Sequence, residues 1–376
     1  MENPLKKILN LSFLGLSKKE GSVLGVDIGS SSIKVVQLRR QRGTAILETY
    51  GELSLGPYAE LDIGQATRLP AEKLAAALTD LLREANTSTT DAALSIPFSD
   101  SLTSLIDMPD LPDKELAKMI PIEARKYIPV PIGEVTLDWF VIPEGEKKFL
   151  DSEGVEEEKK VKKKQVLVVA IHNEALDKFR DIVKRVSLSV EFFEIEIFSA
   201  IRATLGQTLK PVVVIDMGAA STKLYIVEYG IVRATHLINR GGQDVTLALS
   251  RSLNMSIAKA EETKRALGLV GGDGENHVTQ AILLSLEHIF AEANRVVLGF
   301  EKKFNRNVGK VILTGGGATL QGVLPLAQKH LETDVVLADP FTKVEAPAFL
   351  ETVLREVGPE FSVATGLALR RLQEME

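Results

Sequence analysis

The chain of 376 residues contains no cysteine, five histidines and one tryptophan. Without cysteine there is no disulfide, thiolate zinc site, iron–sulfur cluster or cysteine nucleophile. The histidines (His172, His236, His277, His288 and His330) are scattered, with none of the spacings that hold a metal. Two common nucleotide signatures are missing. There is no G-x-x-x-x-G-K-[ST], and Leu320 stands where the last glycine of G-x-G-x-x-G would follow Gly315 and Gly317. Neither a P-loop enzyme nor a Rossmann site is supported. No apolar run reaches the ~18 residues of a membrane span. A basic excess is lacking too: Lys plus Arg is 45 and Asp plus Glu is 51, for a net charge of -6. Nucleic acid is therefore not an expected partner.

What is present fits a folded α/β protein. Hydrophobic residues make up 45% and charged residues 26%, ordinary for a globular chain. The length suggests two or three domains at about 150 residues each. In residues 1–20, Leu5, Ile8, Leu9 and Phe13 share one helical face, but no continuous apolar region marks a signal peptide. This stretch reads as a tail or short docking helix in preference to a membrane-surface helix. Strand-like and helix-like runs alternate along the rest, which predicts an α/β architecture. Helices are expected at 71–86, 113–127, 174–186, 197–205, 244–253, 257–267, 277–303 and 319–330. Pro121 should bend the second of these or delay its start. Residues 144–164 hold seven acidic and seven basic side chains between two strand-like runs, which reads as a solvated hairpin tip.

The strongest feature is an internal echo. The pattern D-x-G-x-x-S-x-K occurs at 27–34 and again at 216–223. Each copy lies between two strand-like runs and reads as a β-hairpin with a small-residue turn. Two such hairpins suggest two similar halves. Turns built from Gly29, Ser30, Ser31 and Ser32, and around Gly218, leave backbone N–H groups able to meet phosphate oxygens. Lys34 can neutralise phosphate charge. Asp27 and Asp216 end their strands, where they can hold a hydrated Mg²⁺. One such turn alone would be an ordinary tight turn; two with the same polar pattern make a phosphate clamp the better reading.

Two further pieces are weaker. Gly315, Gly316 and Gly317 follow a buried strand and let a base or ribose lie against bare backbone. Gly241 and Gly242 open a helix, and Glu261 and Lys264 follow at i and i+3 on one helical face. The last two can bracket a ribose or adenine; on spacing alone, a solvent ion pair is the simpler reading.

These four pieces, in this order, resemble the actin-like ATPase superfamily. The resemblance narrows to the PilM/FtsA branch, and to the PilM family through Ile122-Glu123-Ala124-Arg125-Lys126-Tyr127-Ile128-Pro129. It implies a duplicated, ribonuclease H-like ATPase fold with an FtsA-type insert in the first half. The implied parts are a tail at 1–20, a first half at 21–97 and 190–209, an insert at 98–189 and a second half at 210–376. It implies ATP and Mg²⁺ as ligands and makes Glu196 the candidate to orient water or magnesium.

The resemblance also implies a scaffold on the cytoplasmic face of the inner membrane. Such a scaffold would dock the cytoplasmic N-terminal segment of a PilN-like membrane protein, with a pilus motor ATPase and self-association as further expected contacts. Hydrolysis would be weak or absent. Tyr127, Ile128, Val130 and Trp139 are weak pointers to the groove and read mostly as core. An FtsA-like division filament and a sugar-kinase-like phosphotransferase remain as alternatives. The second lacks any sequence signature of a base beside a small-substrate pocket.

Overall fold

The computed structural model describes residues 21–142, 163–270 and 276–375. The expected tail and most of the charge run lie outside these residues. The chain divides into two compact units, one of which contains Phe98–Arg180. The other joins Lys18–Pro97 to Asp181–Glu376 and holds two five-stranded sheets.

The two sheets repeat one another. In the first, β1 (Ser22–Ile28), β2 (Ser32–Gln41) and β3 (Thr44–Ser54) form an antiparallel meander. β4 (Asp91–Ile96) and β8 (Ser189–Ile195) extend it in parallel, in the order β3-β2-β1-β4-β8. In the second, β9 (Val212–Met217), β10 (Thr222–Glu228) and β11 (Ile231–Ile238) repeat the meander, and β12 (Lys310–Thr314) and β13 (Val335–Leu337) repeat the parallel pair. β9 is buried at every position, so it reads as a continuous apolar run rather than an alternation. The outer strands β3 and β11 are mostly half-buried, which is why their sequence pattern is faint.

Between β4 and β8 the chain builds the smaller unit. Its three-stranded antiparallel sheet has the order β5 (Ser101–Pro109), β7 (Lys163–His172), β6 (Val135–Val141). Helix α2 (Asp113–Ala124) buries Leu116, Ile120 and Ala124 at i, i+4 and i+8 against Ile106, Val166 and Val168. Pro121 neither delays this helix nor ends it at once. The helix starts at Asp113, after Pro112, and stops one turn beyond Pro121, sooner than the periodicity suggests. Ile128 joins this core, Val130 and Trp139 pack against it, and Tyr127 is exposed.

The larger unit carries α1 (Ala71–Glu84) and α4 (Glu196–Thr204) around its first sheet; α3 (Asn173–Val186) leads into β8. α5 (Gly242–Leu253), α6 (Ile257–Leu267), α7 (Asn276–Phe304) and α8 (Val323–Leu331) belong to the second half. A helix from 319 does not form. Gly316–Thr319 makes one 3₁₀ turn, and Gly322 at φ +81° separates it from α8. The chain then returns through α9 (Glu351–Val357) to α10 (Ser362–Glu374), which lies on β1 and α4. That packing needs bare backbone: a Cβ on Gly366 would meet the Ser199 carbonyl, and one on Gly25 the Ala364 carbonyl.

A buried charge cluster fixes the same junction. Glu194 takes Arg202 at 2.7 Å and Arg370 at 2.8 Å, and accepts the Ser199 hydroxyl. Arg370 also stacks on the Phe192 ring, 3.8 Å from its centroid. Burial alone would push the Glu194 carboxyl up, but the two guanidinium groups hold it below its ordinary value. The resulting stability is present at neutral pH and is lost as pH falls through the lowered native value. Glu194→Ala should cost about 3–5 kcal/mol, because both arginines lose their counter-charge; denaturant unfolding measures this. In Glu194→Gln, the stability lost between neutral and acid pH should be smaller than in the wild type.

Candidate functional site

The residues expected to hold nucleotide and magnesium all line one cleft with a cavity volume of 330 Å³; the groove pointers Tyr127, Ile128, Val130 and Trp139 do not. The two D-x-G hairpins shape its floor, and their turns are built alike. Gly29 N–H donates to the Ser32 carbonyl at 3.0 Å, and Gly218 N–H to the Ser221 carbonyl at 3.0 Å. The echo also fixes register. Asp27 pairs with Lys34 across β1–β2, and Asp216 with Lys223 across β9–β10. The spacing of the motif therefore places each aspartate opposite its own lysine.

The charged groups do not stand free. Lys223 Nζ donates to Glu196 Oε2 at 2.7 Å and to Asp216 Oδ2 at 3.0 Å. Burial would lower this ammonium, but Asp216 and Glu196 hold its pKa well above the usual value. Asp27 accepts the Ser95 hydroxyl at 2.7 Å. Burial pushes its carboxyl up; Lys34, Ser95 and Lys223 pull it down without cancelling the rise. Glu196, at the first turn of α4, is likewise pushed up by burial and by Asp216 and Asp27, against the pull of Lys223. Among the described residues, no three His, Cys, Asp or Glu side chains are grouped to hold a metal ion.

On the opposite wall, Gly315 at φ +81° receives the end of β12. Its missing Cβ leaves room for Asp216 Oδ1 and the Met217 carbonyl. Gly241 likewise stacks on the second turn, where a Cβ would strike the Ala219 and Gly218 carbonyls. The helix that follows opens with Gly242 and Gln243 N–H groups donating to those same two carbonyls, at 2.9 and 3.0 Å. Gly241 N–H is itself capped by Asp244 at 2.8 Å.

Glu261 and Lys264 are not a solvent pair, the simpler reading from their spacing. Glu261 is buried and Lys264 half-buried, 2.6 Å apart, and Lys264 also reaches the Gly242 carbonyl and the Thr246 hydroxyl. Glu261 holds Arg265 as well, at 2.7 Å. A strap from the first half meets this group. Gly64 (φ +89°) packs on the Glu261 carboxyl, and Ala66 N–H donates to Gln243 Oε1 at 3.1 Å. The strap is tied back at Thr67, whose N–H reaches the Ser30 carbonyl at 2.8 Å.

Several lining residues carry no local motif: Glu52, Arg265, Thr319 and Glu360. Glu52 would have been found only by reading β3 and its register, which sets it opposite Lys34. Acidic side chains outnumber basic ones along the lining.

The family model described as type IV pilus assembly protein PilM matches residues 25–372. The chain belongs to the PilM family. A solved PilM–PilN type IV pilus biogenesis complex is 27% identical to it, with a TM-score of 0.77, covering 95% of this chain and 99% of that one. The fold extends to the ethanolamine utilization protein EutJ of Carboxydothermus hydrogenoformans, with 16% identity and TM-score 0.54, covering 98% of this chain and 99% of that one. It also extends to MreB5 of Spiroplasma citri bound to ADP, with 10% identity and TM-score 0.51, covering 94% and 96%. Both show the actin-like fold alone. Among curated relatives, the cell division protein FtsA of Bacillus subtilis is 26% identical over 162 residues, 38% of this chain and 37% of that protein. FtsA of Helicobacter pylori strain J99 is 26% identical over 232 residues, 54% and 46%. The matched stretch spans less than half the length of these FtsA proteins.

Gly315→Val should destabilise the protein by about 1–3 kcal/mol, because a branched side chain is strained at this φ and meets Asp216. A thermal melt reads the loss; an unchanged midpoint would show that the turn accommodates a side chain.

Proposed function

We propose that this PilM-family chain binds ATP in the cleft and acts as a nucleotide-controlled scaffold of the type IV pilus inner-membrane platform. The observation that carries the reading is the convergence of two equivalent small-residue turns, with a lysine beside each, on one cavity faced by the Gly315–Gly317 turn. Backbone N–H groups of the two turns and Lys34 meet the phosphates. Gly241, Gly242, Glu261 and Lys264, with the triple-glycine turn, border the nucleoside.

The donor set fits a hydrated Mg²⁺. The acidic groups offer oxygen only, and an acidic cleft takes a polyphosphate best with a divalent cation. Asp27 and Asp216 would hold the ion's water shell, with Asp216 sharing its charge with Lys223. The ion would neutralise phosphate charge. Glu196 is tied to Lys223 and is not free as a base, which suits slow or absent turnover.

The partner we propose is the cytoplasmic N-terminal segment of a PilN-like membrane protein, bound in extended form. The support is the family match together with the likeness to the PilM–PilN complex. No described helix is long and apolar enough to cross a membrane, so a seat at the inner face of the cytoplasmic membrane would come through that partner. Contacts with a pilus motor ATPase and with further copies belong to the same reading. So does the division into a first half at 21–97 and 190–209, an insert at 98–189 and a second half at 210–376.

Titration calorimetry with MgATP tests the cleft. The wild type should bind, and Asp27→Ala should bind about tenfold or more weakly through loss of the ion's water-shell anchor. Equal affinities would sink the role given to Asp27. Single-turnover assays should show ATP outlasting the binding step by orders of magnitude; fast turnover would move the protein to the enzymes. Fluorescence anisotropy with a labelled PilN N-terminal peptide, with and without MgATP, tests the scaffold. A peptide that binds in neither condition would overturn it.

A further inference from the structure

Lys34 leaves the first turn on β2, and its ammonium is already claimed. Glu52, its register partner on β3, stands 2.8 Å from Lys34 Nζ. Glu360 stands 4.0 Å away and comes from elsewhere in the chain. It lies in the turn Gly358–Phe361, which is pinned to the end of β12: the Thr314 hydroxyl and Gly315 N–H both donate to the Pro359 carbonyl, at 2.8 and 2.9 Å. The Thr319 hydroxyl, just after the triple glycine, donates to Glu360 Oε1 at 3.2 Å. Lys34 and Glu52 thus come from the first sheet and Thr319 from just beyond β12, while the turn that carries Glu360 touches both: it is pinned to β12 and packs Phe361 on Tyr50, Val36 and Leu38 of the first sheet. Lys34 and both carboxylates line the cleft.

An ammonium held between carboxylates is not available to a phosphate. A ligand that needs it must first take it from them, and its apparent affinity falls by the fraction of molecules in which the lysine is free. We propose that Glu52 and Glu360 form a latch that holds Lys34 at the cleft wall and sets the cleft's affinity for a nucleoside triphosphate. The two glutamates are positioning residues, because they act through Lys34 and need not touch the ligand. The proposal rests on the ATP reading above. Polyphosphate oxygens replace the two carboxylates around Lys34, and the contacts to Glu52 and Glu360 open as they do.

Glu52→Gln and Glu360→Gln keep the shape of each side chain and remove its charge. ATP affinity in the presence of Mg²⁺ is measured for the wild type, both variants, and both in a Lys34→Met background, using competition titrations that reach millimolar dissociation constants. Thermal melts confirm that each variant is folded. Each single variant should tighten ATP by about fivefold, the release of a modest, part-buried ion pair. The gain should vanish when Lys34 is Met. Failure of either variant to tighten ATP overturns the latch. So does an equal gain in the Lys34→Met background, which would mark bulk repulsion between an acidic cleft and phosphate. A wild type that binds no ATP overturns the nucleotide reading and the latch together; a wild type that binds ATP alongside variants of unchanged affinity overturns the latch alone.

Discussion

The cleft depends on one close backbone approach. The last helix of the chain returns from the second half and lies directly on β1 and α4, where Gly25 and Gly366 leave no side chain in the way. β1 ends next to Asp27, and α4 begins with Glu196. The helix that joins the halves therefore also sets where two of the cleft carboxylates stand. Glu194, with its two arginines, holds the same place by charge. Packing without side chains and a buried ion cluster are unlike devices. The first fixes distance, and the second penalises any rotation that would separate the charges without solvating them.

Within the cleft the governing theme is compensation. Each lysine beside a turn is shared by two carboxylates: Lys223 by Asp216 and Glu196, and Lys34 by Glu52 and Glu360. The duplicated hairpins supply the lysines at equivalent positions, but neither carboxylate is equivalent: Lys223 takes Asp216 of β9 and Glu196 of α4, Lys34 takes Glu52 of β3 and Glu360 of the turn before α10. Symmetry in the backbone is thus broken in the electrostatics. An acidic cleft with no lysine to spare suits a ligand that brings its own cation.

What could be read from the sequence follows the range of the interactions. The hairpins at 27–34 and 216–223 were legible because turn chemistry and strand flanks are local. Their convergence on one cavity with Gly241, Gly242 and the triple glycine followed from the family resemblance rather than from spacing. Glu261 and Lys264 showed the right spacing, but Glu261 is covered by the strap from the first half, which no local pattern reveals. Glu52 and Glu360 were invisible for the same reason: one needs the register of a half-buried outer strand, the other a turn hundreds of residues away. The helix expected at 319–330 began late because Gly322 takes a left-handed backbone, and glycine alone does not disclose which conformation it will use.

The strap at Gly64–Thr67 carries a kinetic consequence. It starts in the first half, rests on Glu261 and Gln243 of the second, and is tied back beside the first turn. The halves cannot part on that side as rigid bodies while it stays in place. Separation there waits for a few residues of surface chain to fray, an opening that costs far less than unfolding either half. The residence time of anything held in the cleft would then depend on the local stability of a short loop as well as on the contacts made to the ligand itself.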